Sequence, residues 1–139
     1  MSEKNFHIGI KAVIVNKGKA LVLKDLRFNG YDLPGGRIDS GEGIEVALKR
    51  ELDEELGLKK FTIGELLHVF ERLDYGNKKA SLMLIYFKVT AKIAKIKLSK
   101  EHSQYQWISK KDLSEISNKG EFRNEGIKTV LGMVLKWKY

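Results

Sequence analysis

The stretch that decides the fold runs from Gly36 to Leu58, GRIDSGEGIEVALKRELDEELGL. Ile44–Leu56 predicts a helix. Its composition favours helix, its second half has no β-branched run, and Gly57 stands where a C′ cap belongs. Gly43 is a weak N-cap, with Ser40 as the competing choice. At about 100° per residue, Ile44, Leu48, Leu52 and Leu56 follow i, i+4 spacing and form an apolar stripe. Glu51, Glu54 and Glu55 stand at i, i+3 and i+4, so their carboxylates converge beside that stripe, with small Ala47 on the same side. Like charges at these spacings repel, and acids near a helix C-terminus oppose the macrodipole. A divalent cation offsets both penalties, and an all-oxygen carboxylate set suits magnesium or manganese. The competing reading of this helix alone is a solvated acidic face, paired by Lys49 and Arg50.

Residues 36–58 hold seven acids and three bases, a net of −4, so the remainder of this +8 chain carries +12. An acidic focus in a basic body is the balance of a cation-dependent site for a polyanion. The same basic surface would suit nucleic acid, although no motif speaks for RNA. With 139 residues the chain predicts one domain, 1–139, able to bury a core without staples. It has no cysteine, which excludes disulfides, thiolate zinc sites and a cysteine nucleophile. The start, MSEKNFHIGI, lacks a signal-peptide h-region, and no apolar run approaches membrane-spanning length. A soluble, cytoplasmic protein with no membrane partner is the expectation.

Before the acidic stretch, Phe6–Val15 reads as a strand with Ile8, Ile10, Ala12 and Ile14 on one face. Asn16–Lys19 is a hairpin turn and Ala20–Leu23 the returning strand. Tyr31–Leu33 predicts a short strand ending at Pro34-Gly35-Gly36. After it, Phe61–Leu73 and Ser81–Val89 read as long strands joined by a turn over 74–79. Gln104–Ile108 is a short strand, followed by a short helix near Lys110–Ile116. A last amphipathic helix covers Asn124–Lys136, with Ile127, Val130, Leu131, Val134 and Leu135 as its apolar face. The lysine-alternating tract from Lys92 to Lys100 predicts a guarded edge strand in preference to a membrane-touching stripe. This order, without a strict βαβ rhythm, predicts a mixed sheet flanked by helices.

Written as Gly36-x5-Glu42-x7-Arg50-Glu51-Leu52-x-Glu54-Glu55-x-Gly57-Leu58, the stretch resembles the signature box of the Nudix hydrolases at every fixed position. The resemblance extends over nearly the whole chain, through the N-terminal strands, the Leu-Pro-Gly-Gly entry and the C-terminal helix. It implies an α/β fold of the α+β type, an α/β/α sandwich with a mixed central sheet. It also implies magnesium-dependent hydrolysis, with manganese as a substitute, of a nucleoside diphosphate linked to another moiety. By resemblance Glu51 and Glu55 are metal ligands, and Glu54 is a further ligand or orients the attacking water. Gly35 and Gly36 would form a tight loop, with the Gly36 carbonyl joining the metal shell. Arg50 would hold the carboxylates through its rigid fork of donors. Glu42 would brace the loop against the helix, and Gly57 completes the box.

For the substrate, Phe70–Tyr75 and Leu98–Trp107 are similar to the diadenosine tetraphosphate hydrolases, which carry a tyrosine about 17 positions past the box and an E-H-x-x-Y-x-W segment. Tyr75 and the residues Glu101, His102, Tyr105 and Trp107 match. Glu101 is then a loop carboxylate that completes the metal site or acts as base, in competition with Glu54. The entry Leu33-Pro34-Gly35-Gly36-Arg37 departs from that subgroup's Pro-Lys-Gly-His, and nucleoside triphosphate or modified-nucleotide pyrophosphatases stay open. The absence of any proline after Pro34 argues against ADP-ribose pyrophosphatases. Arg37, Arg72, Arg27 and Lys79 are candidate phosphate contacts. Phe28, Tyr31, Phe70, Tyr75, Tyr86 and Trp107 are candidate base-stacking partners. His7, His68 and His102 have no metal-ligand spacing. The competing function is a noncatalytic module that senses a nucleotide or binds RNA, which a degenerate box would favour. Nothing in the sequence bears on oligomeric state.

Overall fold

The computed structural model describes residues 5–73, 80–93 and 95–136. The expected turn over 74–79, with Tyr75 and Lys79, lies outside them. The alternating run at the N-terminus forms β1 (Phe6–Asn16), which turns at Lys17-Gly18 into β2 (Lys19–Asp25). β3 (Gly30–Asp32) follows, then β4 (Gly35–Arg37) and α1 (Ile44–Leu56). Two long strands come next, β5 (Thr62–Arg72) and β6 (Ser81–Thr90), then β7 (His102–Ile108), α2 (Lys110–Asn118) and α3 (Glu125–Val134). The strands form a mixed sheet in the order β3-β2-β1-β6-β5, with β4 paired to β1 and β7 to β2. β1 and β6 run parallel at its centre, and the other ladders are antiparallel.

Both faces of β1 are buried, so its alternation sorts residues between two cores. Ile10, Ala12 and Ile14 pack with Leu21, Leu23, Leu48, Leu52 and Leu56 under α1. Val13 packs with Val22, Tyr86, Ile108 and the buried faces of α2 and α3, including Leu113, Ile127 and Leu131. The result is the three-layer α/β/α sandwich, with α1 alone on one side. Among the described residues no helix is long and apolar enough to cross a membrane.

Three expectations need correction. Pro34-Gly35-Gly36 does not lead into a tight loop: Gly35–Arg37 is itself a strand, pairing with Gly9–Lys11 of β1. Gly35 has φ 133°, a region that side chains rarely enter, and a Cβ there would collide with the Ile10 carbonyl. The described residues of the tract from Lys92 to Lys100 are irregular and form no edge strand. Its apolar residues Ile93, Ile96 and Leu98 pack on the α1 core. Its backbone is drawn to the end of α1 instead of a sheet edge: Lys97 N–H donates to the Leu56 carbonyl at 2.9 Å and Ser99 N–H to Glu55 at 3.2 Å. These carbonyls belong to the last turn of the helix, which has no intrahelical donors for them. Finally, Ile44 is 41% exposed. The buried face of α1 is Ala47, Leu48, Leu52, Glu55 and Leu56. The stripe is rotated enough to bring in a glutamate and leave out the first-turn isoleucine.

Candidate active site

The C-terminal end of α1 is fixed by Gly57 in the left-handed region, with Leu58 N–H bonding to the Leu52 carbonyl at 3.1 Å. Its N-terminus starts at Gly43 without a side-chain cap. Between these ends the acids are held in three different ways. Glu55 is 6% exposed and accepts the Gly35 N–H at 3.2 Å. Burial pushes its carboxyl up to about 8; the Lys11 charge and the Gly35 bond pull it back, and nearby Glu51 and Asp32 push it further up. Glu51 lies against β4, where a Cβ on Gly36 would stand 2.5 Å from its carboxylate. Glu54 is 61% exposed, with Arg50 Nη1 3.5 Å away.

Arg50 ties this group together. Its Nε and Nη2 donate to the two carboxylate oxygens of Glu42 at 2.7 and 2.9 Å, a bidentate pair. Nη1 donates to Glu51 at 2.9 Å and Nη2 to the Arg37 carbonyl at 3.1 Å. Glu42 also accepts the Asp39 N–H at 2.8 Å, and these bonds, with Arg50 foremost, hold its carboxyl down to about 2. The loop before α1 is thereby fastened to the helix's own arginine.

These residues open onto a cleft of about 1090 Å³. Gly36, Glu51, Glu54 and Glu55 line it, as do Arg37, Arg72 and Glu101. Glu101 is solvent-facing, 4.0 Å from Arg27 Nη2. Glu42, Arg50 and Gly57 are not among the lining residues. Of the aromatic candidates, Phe28 and Phe70 reach the cleft. Tyr31 instead lies under Lys24 and bonds to Gln106. Tyr86 is buried with its hydroxyl on Asn124, and Trp107 packs on the α1 core. Strand alternation sends these three side chains elsewhere. His7 is exposed, His68 stacks on Tyr86 and His102 is buried.

The cleft also holds residues that sequence reasoning missed. Lys11, on the α2–α3 face of β1, donates to Asp32 at 3.2 Å and to the Leu33 carbonyl at 3.1 Å. Arg123 and Asn124 arrive from just before α3. Lys11 had one readable signal, a charge inside an otherwise apolar run. Arg123 had none.

The chemistry of the donors fits a hard divalent cation. Carboxylates and a backbone carbonyl supply oxygen only. Gly36 leaves the Glu51 carboxylate a cradle that any side chain would fill. Glu55 is a buried acid whose ionisation needs positive charge beside it. In this arrangement Glu51 is turned onto Arg50, and among the described residues no three acid or imidazole groups enclose an ion.

A three-layer fold brings a carboxylate-bearing helix, a glycine strand and cationic side chains to one cleft, an arrangement suited to a hard cation and an anionic substrate. Residues 5–130 match the NUDIX domain model, and the chain belongs to the Nudix family and is a pyrophosphohydrolase. Members of the family generally use divalent metal ions. Among its relatives is the 8-oxo-dGTP diphosphatase of Buchnera aphidicola subsp. Schizaphis graminum, 33% identical over 117 residues, 81% of this chain and 82% of that one. Nucleoside triphosphatase NudI of Escherichia coli O139:H28 is 27% identical over 113 residues, 73% of this chain and 80% of that protein. In fold, the chain is similar to the crystal structure of MutT protein from Methanosarcina mazei Go1, with TM-score 0.78, 24% identity, and coverage of 98% and 97% of the two chains.

Proposed function

We propose that this chain is a magnesium-dependent hydrolase that cleaves a pyrophosphate bond in a nucleoside triphosphate. The observation that carries the reading is the placement of Glu51 and Glu55 against the Gly35-Gly36 strand, in a cleft that also presents Arg37 and Arg72. Glu51, Glu55 and the Gly36 carbonyl would hold the ion, with Glu54 as a further candidate ligand, and manganese would substitute. When bound, magnesium neutralises charge on phosphate oxygens and makes water more acidic. Arg50 keeps Glu51 and the pre-helix loop in place. Arg37 and Arg72 bind phosphate oxygens. Glu54, exposed and loosely held, orients water and accepts its proton; Glu101 is the competing base.

The triphosphate reading takes its support from the names of the two curated relatives. The dinucleoside tetraphosphate likeness rests on Phe70–Tyr75 and Leu98–Trp107; of these Phe70, Arg72, Ser99 and Glu101 line the cleft, His102, Tyr105 and Trp107 do not, and Tyr75 lies outside the described residues. The noncatalytic alternative has only the basic remainder in its favour. The same reading takes residues 1–139 as one domain acting on a small nucleotide in the cytoplasm.

The test is a panel of nucleoside triphosphates (oxidised ones included), dinucleoside polyphosphates, ADP-ribose, nucleotide sugars and capped RNA, with magnesium, scored for the nucleotide products, for pyrophosphate or phosphate release, and for thermal shift. A triphosphate should give the highest kcat/KM. Binding without cleavage of any member would overturn the enzyme mechanism, and preference for a dinucleoside polyphosphate would overturn the substrate.

A further inference from the structure

The cleft has a second charged feature that the Nudix box does not explain. Asp25 ends β2 and its side chain is 1% exposed. The β2–β7 register shifts between Lys24 and Asp25, an irregularity of the kind that re-aims a side chain. Three donors come from Arg27: its N–H at 2.8 Å, Nε at 3.1 Å and Nη2 at 2.9 Å. A fourth comes from Arg123, whose Nη1 lies 3.0 Å from Asp25 Oδ2 and 3.5 Å from Asp32 Oδ2. Arg123 is placed by backbone: its N–H donates to the Tyr31 carbonyl at 3.1 Å, and Tyr31 N–H donates to Glu121 at 2.7 Å. Two guanidinium groups 96 positions apart in the chain therefore meet on one buried carboxylate.

Both arginines line the cleft and are about half exposed. Each guanidinium has five donors, and Asp25 engages two on Arg27 and one on Arg123. The guanidinium donors that Asp25 does not engage are what the pair offers an anion; Glu101 Oε2 lies 4.0 Å from Arg27 Nη2 and Asp32 Oδ2 3.5 Å from Arg123 Nη1, so the wall acts through oriented donors and not through a net positive charge. Asp32 accepts its hydrogen bonds from Lys11 and from the Leu33 N–H. The Arg27 bonds keep the Asp25 carboxyl well below the usual range, so it stays ionised at neutral pH.

We propose that Asp25 is a positioning residue that fixes Arg27 and Arg123 as a paired guanidinium wall for the polyphosphate chain of the substrate. The inference rests on the pyrophosphohydrolase reading of the cleft, and it adds a specificity: the enzyme should favour three consecutive phosphates over two. Oriented, partly desolvated guanidiniums bind phosphate oxygens more strongly than free surface arginines do. Removing the Asp25 charge would leave both side chains present but unaligned.

Steady-state kinetics on a nucleoside triphosphate and the diphosphate of the same base test this, using Asp25→Asn, Arg27→Gln, Arg123→Gln and the Asp25→Asn/Arg123→Gln pair. Asp25→Asn should raise KM for the triphosphate about tenfold and for the diphosphate less than about threefold, with kcat within about threefold. Because Asp25 acts through the arginines, the double variant should resemble Asp25→Asn instead of multiplying the effects. Equal KM changes on both substrates, additive effects, or a pure kcat loss would overturn the proposal. If Asp25→Asn does not fold, the two exposed arginine variants decide, and unchanged triphosphate KM in both sinks it. If the wild type cleaves no nucleotide, the failure lies in the functional reading itself.

Discussion

The cleft presents two charged arrays built in opposite ways. The acidic array, Glu51, Glu54 and Glu55, comes from a single turn and a half of α1 and is tied by Arg50 to a loop only eight residues upstream. The basic array, Arg27 and Arg123 on Asp25 with Lys11 on Asp32, joins β1, β2, β3 and the segment before α3. One is local chemistry carried on a helix, and the other exists only once the sheet has closed. Their difference separates what the protein encodes by spacing from what it encodes by topology.

Five perturbations would break or sharpen that contrast. The largest effect should follow removal of divalent cations: chelation should abolish hydrolysis and added magnesium restore it, followed by the appearance of nucleotide product and of pyrophosphate or phosphate. Glu54→Gln comes next, with kcat falling about 10²–10⁴-fold while the melting temperature stays put, because the residue is exposed. Glu101→Gln should lose less than about tenfold, and the reverse ranking would make Glu101 the base. Leu52→Ala, fully buried beneath the acidic array, should cost about 2–5 kcal/mol of stability by denaturant titration.

The smallest effect is a pH dependence in the basic array. Asp25 is lowered from 3.8 to about 2. It contributes stability above pH 4 that is lost as pH falls towards 2, about 2 kcal/mol when fully developed. The wild type should therefore lose more stability than Asp25→Asn between pH 4 and 2 in acid unfolding. Parallel curves would show that the carboxylate is not held as described.

The same contrast explains what could be read from the sequence. The bounds of α1, its glycine cap and the β1 hairpin were legible because propensity, period and turn chemistry act over a few residues. The Gly35–Arg37 strand was not, since Pro-Gly-Gly reads locally as a turn and becomes a strand only against β1. Alternation in the 92–100 tract carried a strand's period, yet its donors were claimed by the end of α1, an element 35 or more residues earlier. Ile44 looked like core because the helical wheel does not say where the sheet ends. In the site, the box residues were named in advance, whereas Asp25, Asp32 and Arg123 acquired meaning only from strand pairing.

The central claim is that the carboxylates at the end of α1 are tolerated together because a divalent ion binds among them. Its most direct test is a crystal structure of the protein with manganese and a non-hydrolysable triphosphate analogue, read by anomalous scattering. The account predicts a manganese peak contacted by Glu51, Glu55 and the Gly36 carbonyl. Bound analogue with no peak beside those glutamates would contradict it.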